Sequence, residues 1–207
     1  MIPAKNSRFW QVLALDGHLL GTLFSALFLY ISLELAKLHI LTGADFIRQL
    51  KLIVSSGEFH PVEGEKDIFS VGGENGEDYD NLMNAARKAV EHGYRVFLLP
   101  NPKGIRTADF IFERKGIYKM FDLKTITGKS SVSTRLMESI GQTNHVVLNM
   151  ATDYDPRLLA KDIQAYFERN RDAREVLILK GLKFLSVSRR FVEGNDYVKM
   201  FMKRYLR

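Results

Sequence analysis

Between Thr107 and Lys124 the chain reads TADFIFERKGIYKMFDLK. Two apolar runs, Thr107–Phe112 and Ile117–Lys124, flank the polar pair Lys115-Gly116, and this pattern predicts a β-hairpin closed by a two-residue loop. With that pair as the loop, Asp109 falls opposite Asp122. Directly opposed side chains have Cβ atoms about 4.5–5.5 Å apart, and like charges there destabilise a sheet. The neighbours are otherwise apolar (Ala108, Phe110, Met120, Phe121, Leu123), and burial raises the cost of two negative charges further. A hard divalent cation, Mg²⁺ or Mn²⁺, would resolve the conflict through oxygen ligands. Strand alternation puts Lys124 on the same face as Asp122, with Leu123 turned to the other side. Two carboxylates and an ammonium at this spacing suit metal-assisted phosphodiester hydrolysis, in which Lys124 orients water or stabilises developing negative charge.

Outward from the hairpin the pattern alternates between helix and strand. Glu77–His92 carries an apolar stripe (Leu82, Ala85, Ala86, Ala89, Val90) and ends at Gly93, and Tyr94–Leu99 is a strand stopped by Pro100 and Pro102. Ser133–Asn144 reads as a helix and His145–Met150 as a strand. Asp155-Pro156 starts a helix running to about Asn170, with Asp155 as N-cap and proline at the first position. Glu175–Leu179 is a further strand, and the tail from Asn195 forms a basic terminal helix. The order α-β-β-β-α-β-α-β gives an α/β domain with a mixed sheet. Residues 55–76 are rich in Gly, Ser and acid, which sets the expected boundary between a helical N-terminal region, 1–70, and the α/β domain, 71–207.

Gly17–Leu33 has no charged residue in 17 positions, and a membrane contact by residues 17–33 is one reading of it. The length is short for a span of about 20 residues, so a buried helix in the N-terminal region is the favoured reading. The chain of 207 residues contains no cysteine, which excludes disulfide scaffolds, thiol catalysis and thiolate zinc sites. The five histidines are scattered, and neither a phosphate-binding glycine loop nor a serine-hydrolase elbow is present. The net charge of +6 is concentrated at the end: residues 156–207 hold 13 basic and 6 acidic groups. That end is a candidate phosphate-facing surface or a solvated face.

Asp109, then Asp122-Leu123-Lys124 on consecutive strands of an α-β-β-β-α-β unit, resembles the PD-(D/E)XK nuclease motif, with Ala108 where the name-giving proline stands. The stretch Tyr79–Met150 is similar to the C-terminal nuclease domains of contact-dependent growth-inhibition toxins and related bacterial polymorphic toxins. The resemblance implies a restriction-endonuclease-like core and a metal-dependent endonuclease acting on tRNA or DNA. It also implies a secreted or delivered toxin at work in the target-cell cytoplasm, a cognate immunity protein, and a role for residues 1–70 in entering that cell. Without the delivery setting the expected location is cytoplasmic. Such nucleases usually draw a further ligand from the first helix, where Glu77 is the first choice and Asn81 the second. Gln142 is expected to assist from the helix after Lys124, and Thr125, Lys129, Ser130 and Ser131 are expected phosphate contacts. The alternative from another class is a non-catalytic nucleic-acid or protein-binding module on the same fold.

Overall fold

The computed structural model describes residues 43–72, 78–100, 108–128 and 132–207. Glu77, Lys129, Ser130, Ser131 and the apolar run 17–33 lie outside the described residues. The described elements are α1 (Gly43–Val54), β1 (His60–Pro61), β2 (Ile68–Ser70), α2 (Tyr79–Glu91), β3 (Arg95–Leu98), β4 (Phe110–Arg114) and β5 (Ile117–Ile126). They continue with α3 (Val132–Glu138), β6 (His145–Met150), α4 (Pro156–Arg169), β7 (Glu175–Lys180), β8 (Lys183–Ser188), α5 (Arg189–Val192) and α6 (Tyr197–Tyr205).

The strands form one mixed sheet in chain order, β1 to β8. Connection type sets the direction of each pair. Helices α2, α3 and α4 carry the chain between the parallel neighbours β2/β3, β5/β6 and β6/β7, whereas tight turns join the antiparallel pairs β4/β5 and β7/β8. In the β4/β5 hairpin Lys115 and Gly116 have φ of +54° and +78°, the signature of a type I′ turn. Glu113 Oε1 accepts from Gly116 N at 2.6 Å and holds the loop shut. A Cβ on Gly116 would meet nothing within 4 Å, so only the backbone conformation opposes one. Gly116→Ala is therefore expected to lower stability by about 1–2 kcal/mol, read as a shift in the urea midpoint.

Each face of the sheet is covered. On one, α2 lays Met83, Ala85, Ala86 and Ala89 over Phe110, Phe112, Phe121, Val147 and Leu177. On the other, Leu50 and Ile53 of α1 pack on Phe97, Ile111 and Met120, while Leu136 of α3, Ile163 of α4 and Phe201 of α6 pack on Val146, Leu148 and Val176. Helix α4 starts where its sequence directs: Asp155 Oδ1 accepts from Leu158 N at 2.7 Å and Pro156 occupies the first turn.

Several elements differ from the sequence reading or were not part of it. Within the stretch read as a boundary, His60–Pro61 and Ile68–Ser70 form β1 and β2, and β2 runs parallel to β3 in the same sheet. The helix expected over Ser133–Asn144 stops at Glu138, and a turn with Gly141 at φ +88° follows. The strand expected over Thr107–Phe112 is β4, starting at Phe110 and running on to Arg114. Strand β8, with α5 after it, carried no expectation. Its pairing partner β7 ends in Lys180, and Gly181 with Leu182 forms a second two-residue turn.

Candidate active site

The β4/β5 register runs from Arg114↔Ile117 to Phe110↔Phe121, which brings Asp109 and Asp122 to the next position. Asp109 sits at a bend just before β4, yet its backbone is tied on both sides. Its N–H donates to Phe121 O at 2.9 Å, and its carbonyl accepts from Leu99 N at 2.9 Å. Both Phe110, by register, and Asp109, by hydrogen bond, therefore address Phe121, a bulge-like step that re-aims the Asp109 side chain. Its Oδ2 accepts from Leu123 N at 2.6 Å, so a carboxylate takes the place of a ladder bond.

Asp122 lies on the face covered by α1 and α3, in line with Met120, Lys124 and Ile126, where the apolar clusters of these two helices meet. It is 2 % exposed. The Lys124 ammonium is its partner, 3.0 Å from Oδ1 and 2.8 Å from Oδ2. The Oδ2 contact lacks hydrogen-bond geometry, so this buried oxygen is otherwise unpartnered. Two charges enclosed in this way hold together because they hold each other; removing one from such a pair costs about 3–5 kcal/mol.

The two aspartates act on one another. Burial first, then the Asp122 charge, pushes the Asp109 carboxyl up to about 7, against the Leu123 N–H and the Lys124 charge. Burial also raises Asp122, against the pull of Lys124. Near neutral pH the pair thus shares a proton that a divalent cation would displace.

Two converging carboxylates, one with a buried oxygen lacking a hydrogen bond, fit Mg²⁺ or Mn²⁺, which bind through one or two carboxylates and keep waters for a substrate. Among the described residues no cluster of three or more His, Asp or Glu is placed to hold a metal. Any third protein ligand must come from elsewhere, and Glu77 lies outside the described residues.

The remaining expected site residues are arranged differently. Thr125 lies one position beyond Lys124 and so on the opposite face, across from Asn149. Asn81 is exposed on α2, the helix that covers that opposite face. Asn84, one turn further, accepts from Asn149 Nδ2 at 3.2 Å, and Asn149 Oδ1 accepts from Lys88 at 2.7 Å. Gln142 stands in the turn after α3, where its side-chain amide donates to Glu138 O at 3.0 Å and caps the helix end instead of touching Lys124. Two residues that drew no attention in the sequence are coupled electrostatically to Asp122. The Glu138 charge raises it from the end of α3, and its own charge raises Tyr166, a buried hydroxyl bonded to Ser139 and Asn170. Glu138 was findable as the acid in the helix that follows the motif.

No family profile and no curated protein matches this chain. Among solved structures, the chain is similar to a CdiA-CT/CdiI toxin and immunity complex from Burkholderia pseudomallei. The match has a TM-score of 0.40 and 17 % identity, and covers 56 % of this chain and 92 % of that one. No helix among the described residues is long and apolar enough to cross a membrane.

Proposed function

We propose that this protein is a metal-dependent nuclease of PD-(D/E)XK type that hydrolyses phosphodiester bonds of tRNA or DNA. The observation that carries the reading is the meeting of Asp109 and Asp122 beside Lys124, at the edge between two helix-covered clusters. The element order α2-β3-β4-β5-α3-β6, with β5 and β6 parallel, supports it, because this is the unit the motif occupies in that family.

Asp109 and Asp122 would hold Mg²⁺ or Mn²⁺, which supplies Lewis acidity at the phosphoryl oxygen and a lowered pKa for water. Asp109 keeps part of its surface accessible and Asp122 almost none, so Asp109 faces the incoming phosphate and Asp122 anchors from below. Lys124 holds a positive charge on the same face as Asp122, positioned to meet negative charge developing on the phosphate. Leu123 N fixes the Asp109 carboxylate, so this ligand needs little reorganisation. Delivery as a bacterial toxin domain into a target-cell cytoplasm, with a cognate immunity protein, belongs to the same proposal and rests on the sequence resemblance over Tyr79–Met150.

The test is incubation of the purified chain with total tRNA and with plasmid DNA, side by side, in Mg²⁺ or Mn²⁺. Cleavage that disappears in EDTA supports the nuclease. Intact substrates under all conditions, with retained binding, select the non-catalytic module.

A further inference from the structure

The geometry points to a second anion site, between the β7/β8 hairpin and the end of α6, that takes a phosphate of the nucleic-acid backbone away from the bond cleaved at Asp122. The inference rests on the nuclease reading for the identity of the anion. A cleft of about 160 Å³ opens there, with Lys180, Lys183, Arg204 and Arg207 around it and Tyr205 and Leu185 in its wall. That volume is well above the roughly 10–15 Å³ a single water needs. Four cations from three stretches of chain converge on it, in the part of the sequence that carries the whole excess of positive charge.

Lys183 and Arg204 are anchored without being neutralised, whereas Lys180 is paired with Asp153. Lys183 Nζ donates to Tyr205 O at 3.1 Å, and the Arg204 guanidinium stacks 4.4 Å from the Phe191 ring centre. Neither contact cancels charge. Tyr205 is 4 % exposed and its hydroxyl has no hydrogen-bond partner; the nearby Lys180 ammonium acts on it electrostatically without hydrogen-bond geometry. A cleft with two cations that have no counter-charge, Lys183 and Arg204, and a third held by a solvent-exposed acid suits an anion with several acceptor oxygens. Asp153, whose side chain is 94 % exposed, lies 2.6 Å from Lys180.

The cleft also lies on the same face of the sheet as Lys124. Lys124 pairs with Leu148, which pairs with Ile178, and Lys180 follows Ile178 by two residues on the same face. Two strand spacings across and two residues along put the Lys124 and Lys180 backbones on the order of 12 Å apart. That distance is about three to four nucleotides of a stacked strand, at roughly 3.4 Å each.

The test is fluorescence anisotropy on the full chain in EDTA, so that nothing is cut, with labelled tRNA, single-stranded DNA and duplex DNA as separate arms. Over about 50–200 mM salt, Lys183→Gln with Arg204→Gln should bind about tenfold more weakly. The slope of log affinity against log salt should become shallower by roughly 0.7–0.9, the figure for one phosphate. Asp153→Asn should tighten binding by up to about fivefold, a gain that damage to the fold does not produce. The preferred arm identifies the polymer that supplies the phosphate. Unchanged affinity and slope in the double variant, no gain in Asp153→Asn, or a thermal shift with pyrophosphate but no nucleic-acid binding would each overturn the site. If the wild type cuts nothing while these variants behave as stated, the nuclease reading fails and the anion site stands.

Discussion

Asp122→Asn is expected to lower the rate of nucleic-acid cleavage by the folded protein about a thousandfold in saturating Mg²⁺, alongside a stability loss of up to about 3–5 kcal/mol from leaving Lys124 without its counter-charge. The rate loss is that large because the substitution removes a charged ligand from the proposed cation site and a fixed charge beside the scissile phosphate, and single preorganised contributors of this kind are worth about 10²–10³ in rate. Asparagine keeps the shape of the side chain and an oxygen for Lys124. Alanine would take that oxygen as well from an ammonium whose side chain is only 13 % exposed, and a larger part of any activity loss would then be unfolding. Lys124→Gln should cost about a hundredfold, with the effect on turnover rather than on substrate binding. Single-turnover cleavage with circular dichroism of each variant checks both results. A wild-type rate in Asp122→Asn contradicts the assignment.

The second large effect is on stability. The folded Asp109 carboxyl holds its proton up to about pH 7, whereas in the unfolded chain the same group ionises near its ordinary 3.8. Between these values the folded state binds more protons than the unfolded one. This contribution to stability is complete below about pH 4 and is lost as pH rises towards 7. His145 runs the opposite way in the same window: burial holds its imidazole down to about 4, so its contribution is present above the ordinary 6.5 and lost as pH falls. In the wild type these trends largely offset one another, and the metal-free chain should show a shallow pH profile across this range. Asp109→Asn separates them. In EDTA it should match or trail the wild type near pH 4 and exceed it at pH 8 by on the order of 3 kcal/mol. Adding Mg²⁺ at pH 8 should close the gap by stabilising only the wild type, since a ligand of the folded state adds RT ln(1 + [L]/Kd). Denaturant titrations at the two pH values measure all of this. A pH-independent difference between variant and wild type removes the shared proton.

The hairpin was legible because three independent signals agree there: period-two apolarity, a loop pair that accepts positive φ, and charges spaced to share a face. Lys115 and Gly116 do adopt that turn, and Lys124 does pair with Asp122. Helix α4 was legible for a similar reason, since Asp155-Pro156 encodes both cap and first turn. The losses have physical causes. Ile68–Ser70 is three residues long, too short for a period to show, and its strand identity comes from pairing with Val96–Leu98. In β8, Lys183–Ser188 carries only one buried residue, Val187, so tertiary pairing with β7 decides it. Gln142 was placed on a helix by an apolar pattern that Gly141 interrupts.

At the site itself, Thr125 could have been set on the far face by the same alternation that put Asp122 and Lys124 together. The bend at Asp109 was not readable, because it depends on Leu99 N and Phe121 O closing on the backbone from both sides. The burial of Asp122 was expected from its apolar neighbours, but not the elements that enclose it. Its enclosure needs α1 and α3 to meet over β5, a relation between segments that no local pattern encodes.

Crystals of the chain soaked in manganese test the central claim most directly. An anomalous peak lying between the Asp109 and Asp122 carboxylates, absent from Asp122→Asn crystals treated in the same way, is the predicted result. Carboxylates that remain paired through a proton in the soaked crystal, with the Lys124 ammonium still seated on Asp122 and no anomalous signal between them, would contradict it.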